Sequence, residues 1–414
     1  MKGLSGFVRL RHAPGASLVA FKTSADVVSK AVTLIVTVAA ARALPAADFG
    51  IMALAMTTGW LLGVASDAGL PLYLATRVAR SHLHGLSTVE TVRGIMRWRA
   101  ALAGVALAAG VGLGAWLAPA ATLVPFALIV AHQLFGAVLD TLAHAYRGMG
   151  RTDVESAVSL AHRGAIALGA LTVLAVRPSL LALSIALALP PLLALLASFV
   201  IVRRLASSGD TETSLGVALT ARQFFSQVAP LGLGVLLSAL YFRCDVYFLE
   251  RLRGVETVGV YNASFRVVDA LRLFPAAALA VAYPTLCAAT SAAPLRRLTA
   301  GLALASFAVA GAIFIAAHPL LALVYGEAYA AGGDTLRVLA FCVPFFYVNY
   351  ALTHQLIAWG GQRSYLVITA AALCANLAGN AWLIPEGGMI GAATSTLATE
   401  AVVCAGCLAA LNRR

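Results

Sequence analysis

Leu18-Val-Ala-Phe-Lys22-Thr-Ser-Ala-Asp26-Val-Val-Ser-Lys30-Ala-Val-Thr33-Leu-Ile-Val-Thr37-Val-Ala-Ala-Ala41 is long enough to cross a bilayer, yet it carries Lys22, Asp26 and Lys30. A spanning helix needs about 20 mainly apolar residues. An ionisable side chain at its centre costs about 2.5–3.5 kcal/mol on insertion scales, so such residues face protein or a polar cavity rather than lipid. The three charges recur at i, i+4 and i+8 and share one helical face, which Thr33 and Thr37 continue. Two lysines to one carboxylate leave surplus positive charge, which suits an anionic ligand. A plain salt-bridged helix contact is the simpler alternative, with Lys22 reaching the membrane surface along its aliphatic stem.

Working outward from this stretch, similar apolar runs fall near 18–41, 50–75, 100–119, 121–146, 155–176, 179–202, 223–249, 257–286, 298–324, 334–359, 364–385 and 388–411. The expected fold is therefore an all-α integral membrane protein of about 12 transmembrane helices, because an open sheet edge is not tolerated in lipid. Composition agrees: 61% of the 414 residues are hydrophobic and 11% are charged, against about 25% charged in a soluble domain. Polar connectors of about twenty residues leave no room for a nucleotide-binding or catalytic domain. Energy must then come from an ion gradient or a partner.

The basic residues orient the chain. With the N-terminus inside, cytoplasmic segments hold Lys2, Arg9, Arg11, Arg77, Arg80, Arg93, Arg97, Arg99, Arg147, Arg151, Arg203, Arg204, Arg222, Arg296, Arg297, Arg363, Arg413 and Arg414. The other side holds Arg42, Arg177, Arg251 and Arg253. Eighteen against four predicts cytoplasmic termini. The same bias accounts for much of the net charge of +12 without nucleic-acid binding.

The chain also repeats. Arg42-Ala-Leu-Pro-Ala-Ala-Asp-Phe-Gly50 and Arg251-Leu-Arg-Gly-Val-Glu-Thr-Val-Gly259 place Arg and Gly eight residues apart, with an offset of 209 residues. Each stretch joins the first two spans of a six-span half. An even number of spans per half implies parallel repeats related by a pseudo-two-fold axis along the membrane normal. The expected units are a six-helix bundle over residues 1–205, a cytoplasmic linker over 206–222 and a second bundle over 223–414.

Further charges lie inside the spans. The eighth carries Asn262, Arg266, Asp269 and Arg272 near one face, again two cations to one acid. Arginine suits phosphate because its planar fork makes two charge-assisted bonds at once. An internal Arg-Asp-Arg network is the structural alternative. Asp140 in the fourth span and Glu400 in the last are candidate ion-coupling carboxylates, or partners of a cation on a neighbouring span. Arg163 lies in the fifth span, and Arg243 and Asp245 fall near the outer end of the seventh. Cys404-Ala-Gly-Cys407 is formally a CxxC motif, but within an apolar span it reads as small packing residues. No HExxH, P-loop, GxSxG or metal-spaced Cys/His cluster occurs. Neither a catalytic nor a metal site is expected.

Ala41-Arg-Ala-Leu-Pro-Ala-Ala-Asp-Phe-Gly50, then Ser66-Asp-Ala-Gly-Leu-Pro71 and Arg77, begin a series of loose matches. Tyr241-Phe-Arg-Cys-Asp-Val-Tyr-Phe-Leu249 and Val258-Gly-Val-Tyr-Asn-Ala263 follow, then Tyr325-Gly-Glu327, Asn376, Asn380, Ile384-Pro385, Gly391-Ala-Ala393 and Glu400. In this order the chain resembles the polysaccharide or O-antigen flippases of the multidrug/oligosaccharidyl-lipid/polysaccharide exporter superfamily. The resemblance implies two six-helix bundles around a central cavity in a bacterial inner membrane. It also implies passage of a polyprenyl-pyrophosphate-linked oligosaccharide to the outer leaflet by proton- or sodium-coupled alternating access. Lys22, Lys30, Arg266 and Arg272 would meet the pyrophosphate, and Asp26 and Asp269 would orient those cations. The implied partners are the lipid-linked oligosaccharide, membrane lipids and polysaccharide polymerase or assembly proteins. No cofactor is expected beyond the ion gradient. Competing readings are a drug or cation antiporter of the multidrug branch and a non-transporting scaffold for polysaccharide synthesis. The surplus of cavity cations disfavours the antiporter. The absence of a fourteen-helix extension argues against a peptidoglycan role.

Overall fold

The computed structural model describes residues 16–67, 69–81, 88–207, 229–275, 278 and 293–412. Among these residues there is no strand. The first half forms α1 (Ala16–Ala43), α2 (Ala46–Asp67), α3 (Leu70–Ser81), α4 (Thr88–Leu117), α5 (Leu123–Gly148), α6 (Thr152–Val176) and α7 (Leu180–Ser207). The second half forms α8 (Ala229–Arg243), α9 (Asp245–Arg253), α10 (Val255–Leu271), α11 (Ala293–Tyr325), α12 (Gly333–Ala340), α13 (Cys342–Ala358) and α14 (Gln362–Asn412).

Among the described residues eight helical stretches are long and apolar enough to cross a membrane, one of them running through α8 and α9, and a bent pair gives a ninth. The remaining crossings are hidden by breaks or by short described lengths. α2 is long enough to cross by itself, and α3 follows it after a break where Gly69 adopts φ 81° and Pro71 lies in the first turn of the next helix. α12 and α13, with the short 3-10 turn before them, meet at 45°. α14 is two spans in one 51-residue run, broken where Gly388 takes φ 52°, ψ −128°. The layout is that of twelve segments in two groups of six.

α5 is the hub of the first group, packing on α2, α3, α4 and α7. α14 plays that part in the second, against α8, α9, α12 and α13. The expected linker and the start of the second bundle fall largely on residues 208–228, outside the described residues.

The groups meet mainly where α2 crosses α8 and α10. A Cβ on Gly50 would collide with the Val255 carbonyl oxygen. A Cβ on Gly259 would lie 3.4 Å from both the Ala46 carbonyl oxygen and the Gly50 nitrogen. Val255 and Gly259 are Ala46 and Gly50 displaced by 209 positions. Each half thus offers the same two positions to the other, as a two-fold contact requires. The sequence repeat and the pseudo-symmetry axis coincide at this crossing, where small residues let two membrane helices touch backbone to backbone.

The remaining bonds between the groups cluster on this side of the membrane, opposite Ala16 and Asn412. The Arg42 guanidinium donates to the carbonyls of Leu323 and Val324 at the end of α11. Tyr329 donates to the Ala41 carbonyl at 3.1 Å and packs edge-on to Phe49 at 5.6 Å. Deeper, Arg243 reaches Thr57 at 3.0 Å and Tyr247 reaches Thr58 at 3.0 Å.

One sequence expectation is corrected. The sequence places Arg99 among the cytoplasmic loop cations and the start of the third span near residue 100. Instead α4 starts at Thr88 and Arg99 is fully buried. Its guanidinium donates to Ser66 at 2.6 Å and Thr141 at 3.1 Å, and lies 3.6 Å from Asp67. The helix runs past the apolar stretch because Arg99 is needed inside the bundle, where it holds the end of α2 at the break.

Candidate functional site

Two cavities adjoin inside the molecule. The larger, about 750 Å³, lies within the first bundle toward the end that carries Ala16, between α1, α2, α5 and α6. The smaller, about 360 Å³, lies between the bundles. Thr33, Trp60, Gln133 and Arg163 line both.

The cavity between the bundles is cationic. Among the described residues, Arg163, Arg243, Arg266 and Arg272 line it against one carboxylate, Asp269. The turn Arg266-x-x-Asp269-x-x-Arg272 places three charges on one face of α10 and its C-terminal edge. Asp269 is shared, lying 3.6 Å from a nitrogen of Arg266 and 3.6 Å from one of Arg272. Both separations exceed a charge-assisted hydrogen bond of about 2.7–2.9 Å. The carboxylate therefore steadies two guanidiniums without occupying their donors.

Aromatic rings and amides do the rest of the positioning. Arg272 lies 4.2 Å above the Phe242 ring and 5.3 Å from that of Phe346. Arg243 lies 4.6 Å over Phe265 and donates to Asn262 at 2.8 Å. Ring faces attract the cations but accept none of their strong hydrogen bonds. The Nε atoms of Arg163 and Arg266 are buried with no partner. A buried donor left unsatisfied costs about 1–3 kcal/mol, more when charged. The parts of the arginine side chains open to the cavity, 29% of Arg266 and 34% of Arg272, are what a multiply charged anion there would meet.

The expected cations divide between the two spaces. Arg266, Asp269 and Arg272 come together in the cationic cavity, while Lys30 is exposed on the wall of the larger chamber. Thr33 and Thr37, on the same face of α1, do reach the cationic cavity. The side chains of Lys22 and Asp26 lie outside the described residues. Asp140 lines the larger chamber. Glu400 is buried behind the cationic cavity, where its carboxylate accepts from Asn349 at 2.7 Å. It faces a third space of about 210 Å³ that Arg272 also lines. Arg163 and Arg243 were not among the expected ligand-binding residues. The signal for both was in the sequence, as cations inside apolar runs, the same criterion that singled out Arg266.

Residues 19–289 match the sequence profile of a family described as polysaccharide biosynthesis protein, which spans more than half of the chain. The chain belongs to that family. No curated protein sequence matches it. Among solved structures, an inward-facing multidrug resistance MATE family transporter of the MOP superfamily aligns with a TM-score of 0.67 at 13% identity, covering 95% of this chain and 97% of that one. The lipid II flippase MurJ in an inward closed conformation aligns with a TM-score of 0.65 at 12% identity, covering 95% and 87%. The eukaryotic MATE transporter AtDTX14 gives a TM-score of 0.68 at 14% identity, covering 96% and 95%. At these identities the likeness is one of fold. Family, apolar helices and fold together make this polysaccharide biosynthesis protein a multi-pass membrane protein that shares the fold of those transporters.

Proposed function

We propose that this protein flips a polyprenyl-pyrophosphate-linked oligosaccharide from the cytoplasmic to the outer leaflet of a bacterial inner membrane. The observation that carries the reading is the cavity between the bundles, lined among the described residues by four guanidiniums to one carboxylate. A pyrophosphate offers several acceptor oxygens to such forks. An organic cation, by contrast, would meet net repulsion there, which disfavours a drug antiporter. The protein is read as a transporter and not an enzyme.

The basic-residue bias assigns both termini to the cytoplasm. The Arg42–Tyr329 side, closed by bonds between the bundles, then faces outward, and the cavities address the cytoplasmic leaflet. Substrate would enter with its lipid tail left in the bilayer, and the bundles would rock about the Gly50–Gly259 crossing. The gradient that drives this would be of protons or sodium, acting at Glu400 or Asp140. Lys22 and Lys30, with Asp26, would guide the anion inward along α1. Polymerase or assembly proteins are the expected partners downstream.

The test is Arg266→Glu in cells, with leaflet-resolved labelling of polyprenyl-linked sugars. The variant should reach the membrane at normal abundance and leave complete oligosaccharide-lipid on the cytoplasmic leaflet. Normal flipping by this variant would remove the proposed anion site.

A further inference from the structure

The larger chamber has a chemistry unlike that of its neighbour. Among the described residues, Lys30, Arg147 and Arg163 on its walls are matched in number by Asp67, Asp140 and Glu155. Arg147 and Glu155 are paired with each other at 2.6 Å. Ser29 and Ser159 hydrogen-bond each other at its wall at 3.3 Å, which places hydroxyls from α1 and α6 on the same space. The lining is thus dense in donors and acceptors but close to neutral. Such a wall has no surplus charge to fix an anion and many donors and acceptors to hold a polyhydroxylated, uncharged group.

At the seam with the cationic cavity stands Trp60. Its side chain lines both spaces and is 39% exposed. Gln133 stands beside it, its amide nitrogen held by the Met56 carbonyl at 3.2 Å. A pyranose ring has one face of C–H bonds and an edge of hydroxyls. An indole face with polar groups around it complements that shape. The order of the two spaces also matches a ligand in which a sugar is joined directly to a pyrophosphate. Their volumes, about 360 and 750 Å³, place the larger share beyond the seam, where a glycan would lie.

We infer that the chamber within the first bundle is a saccharide subsite, with Trp60 as the platform for the sugar next to the pyrophosphate. This rests on the reading of the cargo as a lipid-linked pyrophosphate. It adds that uncharged hexose or N-acetylhexosamine units are recognised, and that the first bundle does the recognising while the second supplies most of the anion site.

The purified full chain in lipid nanodiscs is titrated with two probes, read by native mass spectrometry. One is a polyprenyl pyrophosphate bearing no sugar; the other is the same lipid bearing a single N-acetylhexosamine. In the native protein the sugar should strengthen binding about tenfold, as one stacked and hydrogen-bonded ring can supply. In Trp60→Ala that ratio should fall to near unity, and Trp60→Phe should recover most of it. An undiminished ratio in Trp60→Ala overturns the subsite, as does a native protein that binds both lipids equally; either leaves the pyrophosphate reading standing. A native protein that binds neither lipid overturns both readings.

Discussion

At the scale of single residues, charge inside the membrane is the informative signal, and its placement decides each role. Glu400 is 4% exposed, and one amide, Asn349, binds both its carboxylate at 2.7 Å and its backbone carbonyl at 2.9 Å. Asn349 also keeps a buried amide oxygen with no donor. Glu400→Gln preserves shape and an acceptor for Asn349 while removing the ionisable group. Its stability should stay within about 1 kcal/mol of the native protein, the scale of one neutral hydrogen bond. If Glu400 couples flipping to a gradient, vesicles holding this variant should show no acceleration when a proton or sodium gradient is imposed. Acceleration equal to that of the native protein would remove Glu400 from the coupling role. The cations inside apolar runs were legible one by one, because each violates the local hydropathy. Their grouping was not. Arg163 and Arg243 are separated by 80 positions in the chain, and nothing in either helix states that both face one cavity with Arg266. Arg99 failed in the other direction. At the edge of an apolar stretch a buried guanidinium and a loop cation have the same sequence signature, and only Ser66, Thr141 and Asp67 around it tell them apart.

At the scale of elements, the spans were readable to within a few residues where apolar runs are continuous, as in α5 and α6. They were less so where a crossing is broken. The expected run over 50–75 contains the break at Gly69 between α2 and α3, and hydropathy averages over such a break without registering it. The break in α14 has a local cause. Pro385 cannot donate a backbone hydrogen bond, and Gly388 takes a conformation that other residues rarely adopt. The carbonyls of Pro385 and Glu386 are then met by Arg253. Gly388→Ala should cost about 1–3 kcal/mol, the range for a non-glycine residue in a sparsely populated backbone region. Gly387→Ala is the control, since a Cβ there meets nothing within 4 Å. Thermal melting in detergent should lower the midpoint for Gly388→Ala and leave it near native for Gly387→Ala. Equal melting of the two would mean that the break does not depend on glycine at 388.

At the scale of the whole molecule, two short stretches foretold a symmetry. Arg42–Gly50 and Arg251–Gly259 share only spacing, yet Gly50 and Gly259 meet where the halves cross. The match was short because the contact is between backbones, which constrains only the size of the side chain. Gly50→Val tests whether this crossing sets the balance between states. The Val255 carbonyl cannot move aside as a side chain could, so α2 and α10 must separate on the closed side. Overpacking of this kind costs about 1–3 kcal/mol, enough to shift a two-state equilibrium by about 5- to 150-fold. Spin labels at Arg177 and Glu386, both exposed on that side, with the native cysteines replaced, would report the separation. The distance distribution should lengthen in Gly50→Val, and flipping should slow because the closed state that admits substrate is depleted. An unchanged distribution with unchanged flipping would show that the close approach is packing alone and that the hinge lies elsewhere.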